Sequence, residues 1–226
     1  MSDVALIVAW AALVVGVAAA CIAARRAGAE LTYLRDLVHV GAGLWVLGWP
    51  MWRGRAWPIA FALLGAAATY VVPALAGRVG ALGRFRDSIS DASERWSSVG
   101  LYGLSFATFT VIGFTGSPLP AGAGLLALAL GDGLGGLAGR RYGRHFFTVP
   151  GAKRKTVEGT AAVALFAGLA TALAILRFGA PLRPASIAAA ALAAAAAEAG
   201  APQGTDNLLV PAAVWIALVA VQGVTP

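Results

Sequence analysis

Charged residues are scarce in this chain of 226 residues. Asp, Glu, Lys and Arg make up 12% of it, about half of the roughly 25% that is usual for a soluble domain. Hydrophobic residues make up 59%, and the mean hydropathy is +0.79. Apolar runs of about 20 residues have the length that a helix needs to cross a bilayer core. The composition therefore excludes a soluble globular protein and predicts an integral membrane protein.

Cysteine and acidic residues are also few. Cys21 is the only cysteine, so no intrachain disulfide can form. The net charge of +7 comes from basic residues in short gaps between apolar runs, which is typical of topology determinants and of contacts with anionic lipid. We expect membrane lipids, and no nucleic acid, as partners. Arg25 and Arg26 follow the first apolar run instead of preceding it, which favours a retained helix over a cleaved signal peptide.

Eight apolar segments follow one another with no long linker and no clear repeat. They predict an all-α, polytopic integral membrane protein with seven or eight transmembrane helices, a single domain over residues 1–226 and no soluble domain. The second, seventh and eighth are short or interrupted by Gly and Pro, so a re-entrant piece in place of one span stays open. The segments are 4–24, 37–52, 57–76, 99–116, 119–138, 159–178, 184–200 and 207–223.

The basic residues predict the orientation. With eight spans, all but four of the 17 Lys and Arg residues fall in loops on one side. The positive-inside rule assigns that side to the cytoplasm. We therefore predict a protein of the inner (cytoplasmic) membrane, with both termini outside and the basic segment 139–158 facing the cytoplasm.

Ionisable residues in or beside the apolar segments point to a site. Asp132 and Glu198 lie near the ends of such segments, and Glu158 and Asp206 lie at the starts of others. Their predicted depth is the same, near the cytoplasmic boundary. His39, at a similar depth, follows Arg35 by four residues and so shares its helix face. Because ionisable groups are costly in a bilayer, this pattern favours one functional site that opens to the cytoplasm.

The segment "GDGLGG" formally matches a dinucleotide-binding fingerprint, but it follows a membrane helix instead of a strand, so we exclude that function. Gly131, Gly135 and Gly139 are spaced by four residues and predict the close approach of another helix. A packing role and a functional role are both open for them. Tyr102 is interpreted as a packing residue or an interfacial anchor.

The segment "KRKTVEGT" combines charge, hydroxyl groups and the start of a helix near Gly159, which together could cradle a polyphosphate. Asp132 could hold Mg²⁺ through oxygen ligands. "GAKRKT" lacks the glycine before lysine that a Walker-A loop requires. Other interpretations stay open: the basic segment as a loop against anionic lipid, Glu198 as a helix-packing acid, and Asp206 as an N-cap.

Five motifs, in order along most of the chain, resemble those of the polyprenol kinase family. This family groups dolichol kinases, phytol kinases and CTP-dependent diacylglycerol kinases, and it is distantly related to phosphatidate cytidylyltransferases. The motifs are "LRDLVHVGAG", "SVGLYGLSF", "GDGLGGLAGRRYGRH", "KRKTVEGT" and "EAGAPQGTDNLLVP". One departure is Asp36, where the family usually has lysine.

The resemblance implies CTP as the phosphoryl donor, an isoprenoid or lipid alcohol as the acceptor, and Mg²⁺ or another divalent cation. With the residue chemistry above, it gives three sets of candidates. The catalytic candidates are Asp132, Lys155 and His39. The nucleotide-binding candidates are Arg140, Arg144, Lys153, Lys155, Thr156, Glu158, Thr160 and Asn207. The metal-binding candidates are Asp132, Glu198 and Asp206.

We predict a CTP-dependent kinase for a phytol-, geranylgeraniol- or polyprenol-type (dolichol-type) alcohol, and three alternatives stay open. A CTP-dependent diacylglycerol kinase differs only in its acceptor. A CDP-lipid cytidylyltransferase should carry a C-terminal Lys-x-x-Asp followed by a glycine-rich Asp-Arg run, which the chain lacks. A small transporter should have acids through the depth of the membrane and two related halves. The identity of the general base and the formation of a homo-oligomer are left open.

Overall fold

The computed structural model describes residues 2–90, 97–202 and 204–222, which are almost entirely helical. Their α-helices are, in chain order, Asp3–Arg26 (α1), Leu31–Ala42 (α2), Leu44–Leu47 (α3), Ala56–Leu75 (α4), Gly80–Ile89 (α5), Ser97–Thr115 (α6), Pro118–Leu126 (α7), Gly133–Tyr142 (α8), Val157–Arg177 (α9), Pro184–Gly200 (α10) and Asp206–Gln222 (α11). A 3₁₀ turn covers Trp49–Met51, and a π-helical stretch, Ala127–Asp132, joins α7 to α8. The predicted all-α fold is confirmed.

Several of these helices have the length of a membrane span. Within the described residues, five helical stretches are long and apolar enough to cross a membrane: α1, α4, α6, α7 continued through α8, and α9. The helices α10 and α11 are apolar and have 17 residues each, so each is about 25 Å long. The prediction that the seventh and eighth segments are short is confirmed, and the chain is a polytopic membrane protein.

The second predicted segment is a broken helix. Gly43 and Gly48 separate α2, α3 and the 3₁₀ turn, and a Cβ atom on Gly48 would come within 2.8 Å of the Trp10 ring. The predicted start at residue 37 is wrong, because α2 begins at Leu31 and includes polar residues in its first two turns. The carboxylate of Asp3 accepts hydrogen bonds from the backbone N–H groups of Arg53 (2.9 Å) and Gly54 (3.1 Å). The start of α1 and the end of this segment therefore lie together, and the two run antiparallel.

A short helix, α5, lies in the region that was predicted to be a loop between the third and fourth segments. Leu82, Phe85 and Ile89 follow one another at spacings of three and four residues, which puts them on one helix face. The helix packs against α1, α2 and α4. Its 10 residues include three charged ones, Arg84, Arg86 and Asp87, so hydropathy alone did not reveal it.

The stretch from α7 to the π-helical turns lies at the centre of the bundle. Every residue from Pro120 to Ala129 is buried, and α6, α9 and α11 pack around it. Small side chains allow this close packing: a Cβ atom on Gly124 would lie 2.7 Å from the carbonyl oxygen of Pro211. The core of the protein is therefore built mainly by its C-terminal half.

A two-stranded hairpin follows α8. Phe146–Phe147 (β1) pairs antiparallel with Lys155–Thr156 (β2), and β2 leads directly into α9. The predicted loop 139–158 thus contains the last turn of α8, this hairpin and the first residues of α9. The hairpin holds Lys155 at the start of a long helix.

Candidate functional site

A cavity of about 600 Å³ brings together most of the predicted site residues. Its walls come from α2, α5, α6, α8, the hairpin, α9, α10 and α11. A cavity of this size can hold a small-molecule ligand. The predicted residues that line it are His39, Asp132, Arg140, Lys153, Lys155, Thr156, Thr160, Glu198, Asp206 and Asn207.

The three glycines spaced by four residues pack α8 and the π-helical stretch closely against α9. A Cβ atom on Gly135 would come within 3.0 Å of the backbone nitrogen of Val163, and one on Gly139 within 3.2 Å of the Cα atom of Gly159. A Cβ atom on Gly131 would likewise lie 3.1 Å from the Cβ atom of Ala167. The predicted close helix approach is confirmed. Gly135 and Gly139 also line the cavity, so packing and clearing space for a ligand are combined.

Asp132 ends the π-helical stretch and lines the cavity. One of its carboxylate oxygens lies 3.6 Å from Nε2 of His39, and the same nitrogen donates a hydrogen bond to the backbone carbonyl of Leu128 (3.0 Å). Donation to a carbonyl requires a proton on Nε2. Single π-helical turns inside α-helices frequently occur at functional sites. Two predicted catalytic residues from separate helices are therefore direct neighbours.

Tyr102 supports this arrangement from α6. Its hydroxyl donates a hydrogen bond to the backbone carbonyl of His39 (2.7 Å), and the two rings lie 4.3 Å apart between centroids. Tyr102 also packs on Phe106 and lines the cavity. The interpretation of Tyr102 as a packing residue is confirmed. The structure adds that Tyr102 packs against His39 and donates a hydrogen bond to its backbone.

Lys155 and Glu198 form a close ion pair between β2 and α10. Their side chains are 16% and 9% exposed, respectively, so both charges are largely removed from water. One oxygen of Glu198, Oε1, accepts from Lys155, whereas the buried Oε2 has no hydrogen-bond partner within the described part of the chain. A buried charge is costly without a partner, and the pair links α10 to the start of α9.

A second ion pair, between Arg140 on α8 and Asp36 on α2, lies on the same cavity. Asp36 is 16% exposed and Arg140 is 44% exposed, so this pair is more open to water than the pair of Lys155. It connects the helix that carries His39 to the helix that follows Asp132.

The hydroxyl groups at the start of α9 differ in their hydrogen bonds. Thr156 is the N-cap of α9, and its Oγ1 accepts a hydrogen bond from the backbone N–H of Gly159 (3.1 Å). The helix begins at Val157, two residues before the predicted start. The Thr160 hydroxyl is buried and has no hydrogen-bond partner among the described residues. Among the described residues the Thr160 hydroxyl thus stays unpaired, whereas Thr156 uses its own to cap the helix.

Asn207 joins α11 to α6 at the rim of the cavity. Its side-chain N–H donates to the carbonyl of Ser98 (2.9 Å), and its own backbone carbonyl accepts from the Ser105 hydroxyl (2.6 Å). Asp206, the first residue of α11, accepts from the backbone N–H of Asn207 (3.0 Å). Both residues line the cavity, so the helix start and the site are built by the same side chains.

Two predicted nucleotide-binding residues, Arg144 and Glu158, do not line this cavity. The Glu158 carboxylate accepts from the backbone N–H groups of Arg144 (3.1 Å) and His145 (3.3 Å), and it pairs with Nδ1 of His145 (2.6 Å). These residues line a separate, smaller surface pocket together with Arg141. Glu158 thus links α9, through these hydrogen bonds, to the residues that lead into the hairpin.

The predicted metal ligands share the cavity but are not assembled. Within the described residues, no group of three Asp, Glu, His or Cys side chains is placed to hold a metal ion. Glu198 is paired with Lys155, and Asp132 lies beside His39. Carboxylate oxygens are nevertheless the donors that Mg²⁺ prefers, and Mg²⁺ commonly takes one or two carboxylates together with water and substrate phosphates. The residues therefore fit a cation whose coordination is completed by a bound ligand.

Sequence reasoning missed two contacts of the site: the ion pair between Asp36 and Arg140, and the hydrogen bond from Asn207 to the backbone carbonyl of Ser98. Asp36 precedes His39 by three residues, so its position on the same helix face was a usable signal. Ser98 contributes a backbone carbonyl to Asn207, and nothing in a side-chain pattern indicates such a contact.

Comparison with known proteins identifies the family. No profile of a known protein family matches the chain, and no solved structure does. The phytol kinase of Synechocystis sp. is 33% identical to it over 192 residues, which cover 81% of this chain and 76% of the relative. The match includes most of both proteins and agrees with the motif order described above. The chain therefore belongs to the polyprenol kinase family, which includes that phytol kinase.

Proposed function

We propose that this protein is a CTP-dependent kinase that transfers the terminal phosphoryl group of CTP to a membrane-embedded isoprenoid alcohol. Phytol is the first candidate acceptor, and geranylgeraniol and polyprenols (dolichol included) belong to the same chemical class. One observation carries the proposal: basic side chains, among them Lys155, line the same cavity as Asp132 and its neighbour His39. The name of the Synechocystis relative supports the acceptor class.

The basic side of the cavity suits a triphosphate. Lys155, with Lys153 and Arg140, supplies positive charge, and Thr160 supplies a hydroxyl that has no hydrogen-bond partner in the described part of the chain. The N-terminus of the 21-residue helix α9 adds backbone donors and the positive end of its dipole. Phosphoryl transfer depends mainly on positioning and on charge stabilisation, so these groups would carry most of the catalytic effect.

A divalent cation belongs to this proposal. Asp132 would hold Mg²⁺ together with Glu198 or Asp206, since all three carboxylates line the cavity. The ion would offset the negative charge of the phosphate oxygens.

The acceptor would approach along α2, α5 and α6. Three apolar side chains of these helices line the cavity: Val38, Ile89 and Val99. The hydroxyl end of an isoprenoid alcohol would lie near Asp132 and His39, and one of these two groups would accept its proton. Because the nucleotide is a cytoplasmic metabolite and the site is basic, we propose that the cavity faces the cytoplasm in the inner membrane.

The experiment is an acceptor panel with the purified protein in lipid nanodiscs. CTP or ATP is offered with Mg²⁺ and with phytol, geranylgeraniol, undecaprenol or diacylglycerol, and the lipid products are identified by mass spectrometry. We expect a lipid monophosphate from phytol or another isoprenoid alcohol, formed faster with CTP than with ATP. Absence of any lipid-dependent consumption of CTP would contradict the kinase. Phosphate on diacylglycerol alone would identify the alternative acceptor, and a CMP-bearing lipid would identify nucleotidyl transfer.

A further inference from the structure

Two basic side chains of the cavity are already neutralised by acids of the protein. Lys155 pairs with Glu198, and Arg140 pairs with Asp36. All four side chains line the cavity. Any polyphosphate that binds to Lys155 or Arg140 must therefore compete with a carboxylate that is held in place by the fold.

We propose that Glu198 occupies the phosphate position on Lys155 when no nucleotide is bound, and that a bound polyphosphate displaces it. The released carboxylate then becomes available to a divalent cation. This inference rests on the proposed function, because it concerns the same site. It makes Glu198 a built-in competitor of the polyphosphate and couples the binding of polyphosphate to the binding of the cation.

Burial explains why the exchange has to be coupled. Glu198 is 9% exposed and Lys155 is 16% exposed, and removing the partner of a buried charge is strongly unfavourable. A polyphosphate supplies a new partner for Lys155 but leaves Glu198 without one. The Oε2 atom of Glu198 already has no hydrogen-bond partner within the described residues. A divalent cation is the species that satisfies both oxygens of the released carboxylate, because oxygen ligands are what Mg²⁺ prefers.

The other acids of the cavity act in the same direction. Asp132 and Asp206 line it as well, so a polyphosphate that enters alone meets several negative groups. A cation that binds among these carboxylates relieves the repulsion. By thermodynamic linkage, the cation then raises the affinity for polyphosphate by the same factor by which polyphosphate raises the affinity for the cation.

The test measures the binding of inorganic triphosphate to the full-length protein in nanodiscs by calorimetry, in EDTA and in Mg²⁺. Inorganic triphosphate carries no base, so the result does not depend on a preference for CTP. Glu198→Gln keeps the shape of the side chain and removes its charge. We expect this variant to bind triphosphate in EDTA about fivefold more tightly than the wild type, at the lower end of typical coupling between sites. The enhancement by Mg²⁺ should shrink by the same factor.

Three further variants make the result specific. Asp36→Asn should tighten metal-free binding less, by about twofold, because its ion pair is more exposed. Glu30→Gln removes the same charge from an exposed residue that does not line the cavity. It should leave the affinity for triphosphate unchanged both in EDTA and in Mg²⁺. Adding Lys155→Met to Glu198→Gln should abolish the gain, because the gain acts through Lys155.

The outcomes separate this inference from the proposed function. Tighter metal-free binding by Glu198→Gln with a reduced effect of Mg²⁺ supports the exchange. Equal or weaker metal-free binding by a folded Glu198→Gln variant, with the wild type binding normally, overturns the exchange and leaves the proposed function standing. A wild type that binds no triphosphate in either condition contradicts both. If Glu198→Gln does not fold, the wild type decides: tighter binding of triphosphate in Mg²⁺ than in EDTA supports the coupling, and equal binding in the two conditions overturns it.

Discussion

Two regions of the molecule differ in how tightly they pack. In the apolar stretch of α1, 11% of the residues are buried, and in that of α4, 17%. In the apolar 18-residue stretch within Pro118–Tyr142 the share is 67%. The exposed apolar surface of α1 and α4 is the surface that lipid tails cover in a membrane, whereas α7 to α11 pack mainly against one another. The protein therefore combines a dense C-terminal region with an open N-terminal region.

The comparison explains where the charges of the site are held. Asp132, Glu198 and Asp206 come from the dense region, where packing fixes their backbones, and Lys155 comes from the hairpin that leads into α9. The open region contributes the part of the cavity that α2, α5 and α6 line, with Asp36 and His39 among its polar groups. A rigid scaffold beneath catalytic groups favours accurate positioning. The less tightly packed wall is the one that a membrane-embedded acceptor would approach.

The largest expected effect comes from Asp132→Asn in the dense region. This change removes one negative charge from the cavity and keeps the shape of the side chain. We expect a loss of about 100- to 1000-fold in the rate of phosphoryl transfer, with an unchanged unfolding temperature. The measurement is lipid phosphate formed per minute in nanodiscs. Transfer within a few fold of the wild-type rate would remove Asp132 from the mechanism.

Lys155→Met should have the next largest effect. It removes a partly buried positive charge and leaves Glu198 without its partner. Truncating one partner of a buried charge pair costs several kcal/mol of binding free energy, largely because the other charge stays buried and unpaired. We expect kcat/KM for CTP to fall about 100-fold. Arg141→Gln is the matched control, because Arg141 lines the separate surface pocket and not the cavity. Equal losses in the two variants would show that only overall charge matters.

A pair of glycine substitutions tests the packing difference itself. The Cβ atom of Gly135→Ala would lie 3.0 Å from a backbone nitrogen of α9, whereas that of Gly65→Ala on α4 meets nothing within 4 Å. We expect Gly135→Ala to destabilise the protein by about 1–3 kcal/mol. Gly65→Ala should leave stability unchanged or raise it by less than about 1 kcal/mol. Thermal unfolding in detergent measures both, and similar shifts in the two variants would contradict the division into dense and open regions.

The smallest expected effect comes from Tyr102→Phe in the open region, where α6 contacts α2. It removes the hydrogen bond to the backbone carbonyl of His39 (2.7 Å), which is worth about 1 kcal/mol. We expect a loss of about fivefold in transfer rate with an unchanged KM for CTP. Tyr70→Phe on α4 is the control, since that side chain is exposed. A rise in KM without a change in kcat would contradict a role of Tyr102 in holding the histidine.

The fold was largely predictable because each long apolar run is a helix. The predicted segment 184–200 coincides with α10, and the other long segments differ from the structure by a few residues at their ends. The broken second segment and α5 were harder. Glycines interrupt the second segment, and α5 has only 10 residues, with charges on one face. Such helices are stabilised by packing against neighbours, which hydropathy does not report.

The site was predictable in its members more than in its contacts. Asp132 and Glu198 were identified from residue type and depth, and Lys155 from its basic segment and the family resemblance. The structure brings all three to one cavity. Two ion pairs depend on the direction of the side chains: Glu198 with Lys155, and Glu158 with His145. Sequence spacing does not determine such directions across separate elements.

The most direct test of the central claim follows the two ends of the nucleotide into the lipid. Phytol is incubated with the protein, Mg²⁺ and CTP that is labelled either at the γ-phosphate or at the α-phosphate, and the extracted lipid is counted. The account predicts label in the lipid from γ-labelled CTP and none from α-labelled CTP, with both signals absent in Asp132→Asn. Label from the α-phosphate, or no lipid label with any isoprenoid alcohol, would contradict it.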